Sequence, residues 1–442
     1  MNWSSSIVLR TLMFLWFAAC LFAAPAQGAE GVGPTLPYTP VVTPNGSTLP
    51  WRLVNGVKEF HLIVEEIKHE FAPGMVVKAW GYNGDTPGPT IEAVEGDRVR
   101  IYVTNKLPEA TVVHWHGLLL PSGMDGVQGL SQPGIPPGET FKYEFTLRQH
   151  GTLMYHSHGD EMVQIGLGAM GFFIIHPKNQ VSKIDRDFAL FVSEWAVPPG
   201  ASTPDPNVMT EFDLFTFNSR VFPGTAPLVV RTGDRVRIRF GNVAQESHPV
   251  HLHGHSFKVV ATDGGDIPPA AQWSETTIEI APGQTRDIEF IAEKGDWAMH
   301  CHRRHHPMNA MGHEVPNVLG VSQEGLEQRI QALLPGYMAM GETGMEEHAK
   351  HGAHMQGPAN TLPMMGGDGP FGSIGMGGMF TLLKVRDKLT SYDQDPGWFE
   401  NPEGTVSGPA ELPEYWKTKL ESGEASPAPS GTGVTEKPHQ HE

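Results

Sequence analysis

Apolar and polar residues alternate along several short stretches of the chain. Every second side chain is apolar over residues 99–103 and 141–147, and the pattern returns over residues 236–240, 278–280 and 288–290. A period of two places alternate side chains on opposite faces of an extended chain, so each stretch predicts a β-strand. Pro-Gly turns separate the stretches, which is typical of β-sandwiches and Greek-key barrels. We therefore predict an all-β fold.

The chain contains an internal repeat. The six residues Gly-Asp-Arg-Val-Arg-Ile occur at positions 96–101 and again, letter for letter, at positions 233–238. Two homologous domains explain this repetition, and we place them at residues 50–180 and 185–323.

Residues 324–442 form a C-terminal extension of different composition. Met, Gly and His are abundant over residues 338–379, and residues 380–386 resemble one further strand. From residue 387 onward, eleven acidic residues stand against four lysines among many Pro, Gly and Ser residues. Such a composition buries little apolar surface, so we predict that most of this tail is extended or disordered.

The N-terminus is typical of an export signal. Arg10 precedes an apolar run over residues 12–24, and small residues follow the run. The run is too short to span a bilayer, so we assign residues 1–28 to a signal peptide. We expect a periplasmic or extracellular protein without a membrane span, with a lipoprotein anchor at Cys20 as the alternative.

The formal net charge of −18 limits the classes of partner. Nucleic acids and anionic membrane surfaces are repelled by a negative field, whereas cationic or neutral small molecules are not. We therefore expect a small-molecule substrate and no nucleic-acid partner.

Four His-x-His pairs stand out among the 22 histidines. Side chains at positions i and i+2 of a strand share a face, so each pair can direct two imidazoles at one point. Two pairs lie at equivalent positions in each repeat, which together offer a ligand set for a metal cluster. Imidazole ligands alone suit Zn, Cu, Fe or Ni. The pairs are His114/His116, His156/His158, His251/His253 and His300/His302.

Cys301 remains as a lone cysteine once the signal peptide is removed. In an exported protein it is a free thiol, an intermolecular bridge or a metal ligand. It lies between His300 and His302, so its side chain points to the opposite face of the strand. Two imidazoles, a thiolate and a weak axial thioether form the ligand set of a blue copper site. The chain offers His248, Cys301, His306 and Met311 for this set.

The first repeat lacks the blue copper set. Its equivalent positions hold Thr111, Ser157, Met162 and Leu167. One blue copper per chain is therefore expected, in the second domain. Cys301 would join that copper to the histidine cluster through the backbone of one residue on either side, which is a short path for electrons.

Together these motifs resemble those of the multicopper oxidases, the laccase-like enzymes, over roughly residues 60–320. The resemblance implies four copper ions per chain: one of type 1, one of type 2 and two of type 3. Asp125 matches an acid that relays protons near the cluster in this family. The implied ligands are His248, Cys301, His306 and Met311 for type 1; His114 and His251 for type 2; His116, His156 and His302 for one type 3 ion; and His158, His253 and His300 for the other.

The number of domains departs from the usual laccase pattern. Laccases usually have three cupredoxin domains, whereas this chain has room for two cupredoxin-like domains. It resembles the two-domain class with type 1 copper in the second domain. That resemblance implies a homotrimer whose copper clusters form between subunits.

The resemblance also implies the activity. The enzyme would oxidise a small reducing substrate by single electrons and couple this to the four-electron reduction of O2 to water. Phenols, aromatic amines and low-valent metal ions such as Cu(I) are candidate reductants. The alternative is a copper-resistance or copper-binding protein that mainly oxidises Cu(I), with the thioethers of residues 338–379 as soft ligands. A copper nitrite reductase is disfavoured because it needs no type 3 pair.

Overall fold

The computed structural model describes residues 36, 38–179, 183–198, 200–210, 212–308, 325–333 and 366–422. Strands form nearly all of the regular structure within these ranges, and the all-β prediction is confirmed. The predicted signal peptide, with Cys20, and the predicted ligand Met311 lie outside the described residues. No helix within the described ranges is long and apolar enough to cross a membrane.

The strands are, in chain order, β1 (Val41–Val42), β2 (Arg52–Val54), β3 (Val57–Ala72), β4 (Met75–Tyr82), β5 (Gly88–Val94), β6 (Arg98–Asn105), β7 (Val113–His116), β8 (Thr140–Thr146), β9 (Gly151–Ser157), β10 (Met170–His176), β11 (Arg186–Trp195), β12 (Leu214–Phe217), β13 (Leu228–Arg231), β14 (Arg235–Gly241), β15 (His248–Leu252), β16 (Phe257–Thr262), β17 (Gly265–Asp266), β18 (Trp273–Glu275), β19 (Thr277–Ile280), β20 (Thr285–Ile291), β21 (Gly295–Cys301), β22 (Asp368–Gly369), β23 (Gly372–Ser373) and β24 (Phe380–Arg386). The α-helices are α1 (Glu161–Gly166), α2 (Leu326–Leu333) and α3 (Glu414–Ser422).

The first repeat folds as two facing sheets. One sheet has the order β2-β3-β6-β8 with β4 paired to β3, and the other has the order β5-β10-β9-β7. On β6 the alternate residues Val99, Ile101 and Val103 are fully buried, as the period of two predicts. They pack in one core with Trp115 of β7, Tyr155 of β9 and Phe173 of β10. Close packing of this core therefore supports the buried face of both β7 and β9.

The second repeat forms a larger sandwich. Its first sheet has the order β1-β11-β14-β20-β16-β17, with β12 on β11 and β18 on β16. Its second sheet has the order β13-β24-β21-β15-β19. The strand predicted over residues 380–386 is present as β24, and it lies between β13 and β21. The sandwich therefore takes an internal strand from the predicted C-terminal extension, residues 324–442.

The segment that follows β24 is extended and held by specific contacts. The Lys384 side chain donates to Asp395 over 2.6 Å and lies over the Trp398 ring at 4.5 Å. The backbone N–H of Phe399 donates to Asp296 of β21 over 2.8 Å. The sequence predicts an extended or disordered tail from residue 387, and the composition alone does not reveal these aromatic and ionic anchors.

A buried ionic network joins the two sandwiches. Arg239 of β14 binds Asp187 at 2.8 Å and Asp287 at 3.1 Å, and these three side chains are only 3% exposed. Thr152 of β9 in the first sandwich donates to Asp287 over 2.7 Å. Because a buried charge without a partner is costly, these contacts fix one relative position of the two sandwiches.

We expect the substitution Leu383→Ala in β24 to destabilise the protein. Leu383 is fully buried in the core of the second sandwich. Loss of its side chain should lower the free energy of unfolding by about 2–5 kcal/mol, measured by urea denaturation. The control is Leu412→Ala, at an exposed position of the tail. Equal effects of the two substitutions would show that β24 is not part of the core.

Candidate metal centres

Three of the four predicted blue copper ligands converge between β15, β21 and the loop that follows β21. The Nδ1 atoms of His248 and His306 are 3.0 Å apart. The Sγ atom of Cys301 lies 3.5 Å from Nδ1 of His306 and 4.0 Å from Nδ1 of His248. All three side chains are buried, with residue exposures of 0% for His248 and Cys301 and 3% for His306. Met311 lies outside the described residues.

This set of donors fits a copper ion. Neighbouring nitrogens bound to one metal at about 2.0–2.1 Å stand about 3.3 Å apart, close to the separation of the two imidazoles. Burial raises the pKa of the Cys301 thiol to about 12. Burial, followed by the nearby His248, lowers the pKa of His306 to about 3. A neutral imidazole can ligate at once, whereas the thiol must release a proton when metal binds.

The segment before β24 holds the ligand loop in place. The backbone N–H of Met379 donates to the carbonyl of His306 over 3.1 Å, and the N–H of Gly378 donates to Pro307 over 2.8 Å. The N–H of Cys301 donates in turn to the carbonyl of Met379 over 3.2 Å. Two of the ligands therefore depend on residues near the C-terminal end of the predicted Met-rich segment.

Two carboxylates bind the outer nitrogens of the ligand histidines. Nε2 of His248 lies 3.0 Å from Oε2 of Glu194, and Nε2 of His306 lies 3.0 Å from Oε2 of Glu246. A hydrogen bond at one ring nitrogen fixes the tautomer and leaves the other nitrogen free for a metal. The sequence pattern identifies neither carboxylate as a partner of the histidines. The only sequence feature that points to Glu194 is its position as an acidic residue near the end of the apolar strand β11, and this alone does not predict contact with a histidine.

The first group of paired histidines lies on β7 and β9. Nδ1 of His116 is 3.3 Å from Nε2 of His156, and one ring nitrogen each of His114, His116 and His156 lies within 4.8 Å of the others. The ring of His158 packs against His114 at 5.4 Å. Nδ1 of His156 donates to the carbonyl of Ser157 over 2.8 Å, which leaves Nε2 as the possible ligand atom.

The second group repeats this arrangement on β15 and β21. Nε2 of His253 is 3.1 Å from Nε2 of His300. Nδ1 of His300 donates to the carbonyl of Cys301 over 2.8 Å, as His156 does to Ser157 in the first group. The ring of His251 packs against His302 at 5.6 Å. Each sandwich thus presents four imidazoles, and the chemistry of both groups fits copper.

The two groups do not combine within one chain. Among the described residues, no three ligand atoms drawn from both groups lie within 4.8 Å of one another. His253 and His302 are exposed. The sets that the resemblance implies each need histidines from both groups: His114/His251, His116/His156/His302 and His158/His253/His300. The structure brings three histidines of the first group together, places His253 beside His300 in the second group, and leaves the mixed sets unassembled among the described residues of a single chain.

Two further contacts orient the first group. Nε2 of His116 donates to the carbonyl of Gly283 in the second sandwich over 3.0 Å, which leaves Nδ1 towards His156. Gly283 has a φ of +75°, a conformation that glycine adopts without strain. Nδ1 of His114 donates to the backbone carbonyl of Asp125 over 2.8 Å, and the Asp125 carboxylate lies 3.5 Å from the same nitrogen. The predicted proton relay thus adjoins the group.

In the first sandwich, a hydrogen-bond network occupies the position equivalent to that of the predicted blue copper ligands. Thr111 and Ser157 are fully buried, with their hydroxyls 3.2 Å apart. Both donate to Oε1 of Gln164 on α1, and Nε2 of Gln164 donates to Glu109 over 2.6 Å. Met162 is half exposed. Thr111 and Ser157 are the predicted counterparts of ligands, whereas the sequence pattern does not identify Gln164 as their partner.

The fold and the two ligand sets define a multicopper protein built from paired β-sandwiches. Family models described as multicopper oxidase match residues 63–180 and 198–318, one in each sandwich. The chain belongs to the multicopper oxidase family. The family resemblance of the sequence motifs is thereby confirmed.

Several known proteins are similar to this chain. It is 31% identical to a blue copper oxidase from Nitrosomonas europaea, covering 56% of this chain and 80% of that one with a TM-score of 0.53. For the multicopper oxidase mgLAC the identity is 32%, the coverages are 57% and 81%, and the TM-score is 0.54. These neighbours support the cupredoxin-like fold.

Curated relatives include a copper resistance protein A homolog of Pseudomonas syringae, 40% identical over 54% of this chain and 48% of that protein. Laccase-1 of Cryptococcus neoformans is 28% identical over 62% of this chain and 50% of that protein. The chain thus spans about half the length of these two relatives.

We expect Gln164→Leu to destabilise the first sandwich. The substitution leaves the buried hydroxyls of Thr111 and Ser157 without their shared acceptor, which should cost about 1–3 kcal/mol in the free energy of unfolding. The control is Gln328→Leu, at an exposed position of α2.

The triple variant Thr111→Val, Ser157→Ala, Gln164→Leu tests the same network. It replaces the donors together with the acceptor, so it should recover much of the lost stability. If the triple variant is instead less stable than Gln164→Leu, the cost does not come from unsatisfied hydroxyls.

Proposed function

We propose that the protein is a laccase-like oxidase that takes single electrons from a small reducing substrate and reduces O2 to water. The observation that carries the proposal is the position of Cys301. Its thiol belongs to the buried set with His248 and His306, while the adjacent His300 belongs to the paired histidines. Strand β21 therefore connects a site suited to taking single electrons from the substrate with a histidine cluster suited to passing several electrons to O2. Membership of the multicopper oxidase family supports the same conclusion.

The chain's residues divide into four copper ligand sets. Bound copper would supply one-electron oxidation at the first site and the reduction of O2 at the cluster. We propose His248, Cys301, His306 and Met311 for type 1; His114 and His251 for type 2; His116, His156 and His302 for one type 3 ion; and His158, His253 and His300 for the other.

Two connections within the chain link these sites. The backbone on either side of Cys301 leads directly to His300 and to His302. The hydrogen bond from Nδ1 of His300 to the Cys301 carbonyl adds a second link of 2.8 Å. Both connections lie in β21 and the residue that follows it, so their lengths are set by the local backbone.

Asp125 is the proposed proton donor. The reduction of O2 to two water molecules consumes four protons, which a positioned acid can supply. The carboxylate of Asp125 lies 3.5 Å from Nδ1 of His114, and its side chain is 36% exposed. It can therefore exchange protons with solvent while remaining next to the paired histidines.

We further propose that the enzyme is an exported homotrimer. The two histidine groups of one chain stay separate, and His253 and His302 are exposed, which supports clusters completed by a neighbouring subunit. In a ring, the first sandwich of each subunit would face the second sandwich of the next. Export through the signal peptide at residues 1–28 would place the protein in the periplasm or outside the cell.

A second candidate function is copper resistance through the oxidation of Cu(I). The 40% identity to the copper resistance protein A homolog of Pseudomonas syringae favours it. The Met-rich composition of residues 338–379 also favours it, since thioethers suit Cu(I).

The optical spectrum of the copper-loaded protein tests the proposed function. We expect intense blue absorption from the copper–thiolate bond, bleaching on anaerobic addition of a phenol, and recovery in air. Cys301→Ser should lack the blue band, because it removes the thiolate. Colour that air does not restore would contradict an oxidase. A protein bleached rapidly by Cu(I) but not by the phenol would favour the copper-resistance role.

Co-expression of two inactive variants tests the trimer. His156→Ala disables the first histidine group and His300→Ala disables the second. If clusters form between subunits, mixed trimers contain some intact clusters, and about a quarter of the wild-type activity should return. If each cluster forms within one chain, the mixture stays as inactive as either variant alone. Sedimentation of the wild type as a monomer would contradict the trimer independently.

A further inference from the structure

A carboxylate that is almost closed to solvent holds His248, one of the proposed type 1 ligands. The Glu194 side chain is 1% exposed, and its Oε2 atom accepts from Nε2 of His248 over 3.0 Å. The backbone N–H groups of Gln245 and Glu246 donate to its Oε1 atom over 2.5 and 3.0 Å. Three N–H donors satisfy the oxygens of this carboxylate, so the charged group is tolerated in the interior. A negative charge is therefore fixed behind the imidazole of His248.

No cation neutralises this carboxylate. Among the residues that the structure describes, no Lys or Arg side chain forms an ion pair with Glu194. The carboxylate beside His306 differs, because Glu246 is 20% exposed and binds Arg303 at 2.7 Å. Water and a counter-charge both weaken the field of Glu246. The two acids therefore act unequally on a metal ion held by the two histidines.

The internal repeat contains a counterpart of this carboxylate in the first sandwich. Strand β3 pairs with β6 in the same register as β11 pairs with β14, and this register makes Glu66 of β3 the equivalent of Glu194. The neighbouring strands agree, since Glu66 pairs with Trp80 of β4 and Glu194 pairs with Phe215 of β12. Glu66 is exposed. An acid is thus present at this position in both sandwiches, and it is buried against an imidazole in the sandwich that holds the thiol.

We infer that Glu194 is a positioning residue that lowers the reduction potential of the type 1 copper. A fixed negative charge stabilises Cu(II) more than Cu(I), because the oxidised ion carries one more positive charge. The charge acts through His248, since the hydrogen bond at Nε2 leaves Nδ1 for the metal. The inference rests on the proposed oxidase function and goes beyond it, because it names a residue that determines which reductants can supply electrons.

A lower potential has two consequences for the proposed reaction. It restricts electron donation to reductants that are easily oxidised, and it increases the driving force for passing each electron on towards O2. Each transfer oxidises one reductant molecule by one electron and reduces the type 1 site from Cu(II) to Cu(I). The step requires no proton transfer at Glu194.

Potentiometric titration of the blue band without O2 tests the inference on the copper-loaded enzyme. Glu194→Gln removes the charge but keeps a side chain of the same size. At a fixed applied potential, this variant should lower the ratio of Cu(II) to Cu(I) about tenfold or more, which is a rise in potential of about 59 mV for each factor of ten. Glu194→Asp keeps the charge and should change the ratio less than about threefold.

Two matched controls separate charge from hydrogen bonding. Glu246→Gln combined with Arg303→Gln removes the corresponding hydrogen bond at His306 but leaves the net charge unchanged, so it should change the ratio less than about threefold. Glu66→Gln removes the exposed counterpart in the first sandwich and should have no measurable effect. An unshifted potential in Glu194→Gln, or an equal shift in the double variant, would overturn the inference.

Copper affinity provides a second measurement if Glu194→Gln takes up copper poorly. Competition with chelators gives the dissociation constants for Cu(II) and for Cu(I). The absorption difference between each protein and its Cys301→Ser counterpart isolates the type 1 site. Glu194→Gln should weaken the binding of Cu(II) about tenfold more than that of Cu(I). Equal losses for the two ions would mean that Glu194 only supports the shape of the site, and would also overturn the inference.

Exposure to air separates this inference from the proposed function. A potential that rises in Glu194→Gln, in a protein whose reduced blue site air does not reoxidise, would support the inference and contradict the oxidase. Reoxidation by air, with equal potentials in the wild type and in Glu194→Gln, would support the oxidase and contradict the inference.

Discussion

Strand β21 presents metal ligands on both of its faces, and both candidate centres depend on this alternation. Cys301 points to the buried side, whereas His300 points to the paired histidines. The neighbouring strand β15 does the same, with His248 on one side and His251 on the other. The register of the ladder pairs His251 with His300 and Val250 with Cys301, so the backbone itself sets the spacing of the two centres. A shift of one residue would exchange the faces and destroy both.

The two sandwiches hold different sets of buried polar side chains at equivalent positions. In the second sandwich the buried position between the strands holds a thiol and two imidazoles. In the first it holds Thr111, Ser157 and Gln164, which satisfy one another through hydrogen bonds. A buried polar position needs partners in either case, and a metal ion or an amide can provide them. Only the second sandwich therefore has a thiol at this position, although both halves retain the paired histidines.

Local sequence pattern predicted the strands, the histidine pairs and the two faces of β21, because all three follow from the period of two along an extended chain. It could not predict Glu194 or Glu246, because their contacts with His248 and His306 depend on which strands and loops become neighbours. Gln164 was missed for the same reason, since it reaches the position of a metal ligand from helix α1. The pattern also predicted that residues 380–386 form a strand, but alternation does not identify its partners. Their place between β13 and β21 arises from long-range packing.

The position of β24 has a consequence for the order of events during biosynthesis. The proposed ligand histidines and Cys301 are all synthesised before β24, the strand that lies between β13 and β21, and residues 378–379 form hydrogen bonds with the ligand loop itself. A nascent chain therefore carries nearly every donor without the completed sheet that positions them. Contacts between segments so distant in sequence form late in folding, because chain entropy must be lost first. A chain that ended before β24 would lack the hydrogen bonds that residues 378–379 make with Cys301 and with the loop that follows β21.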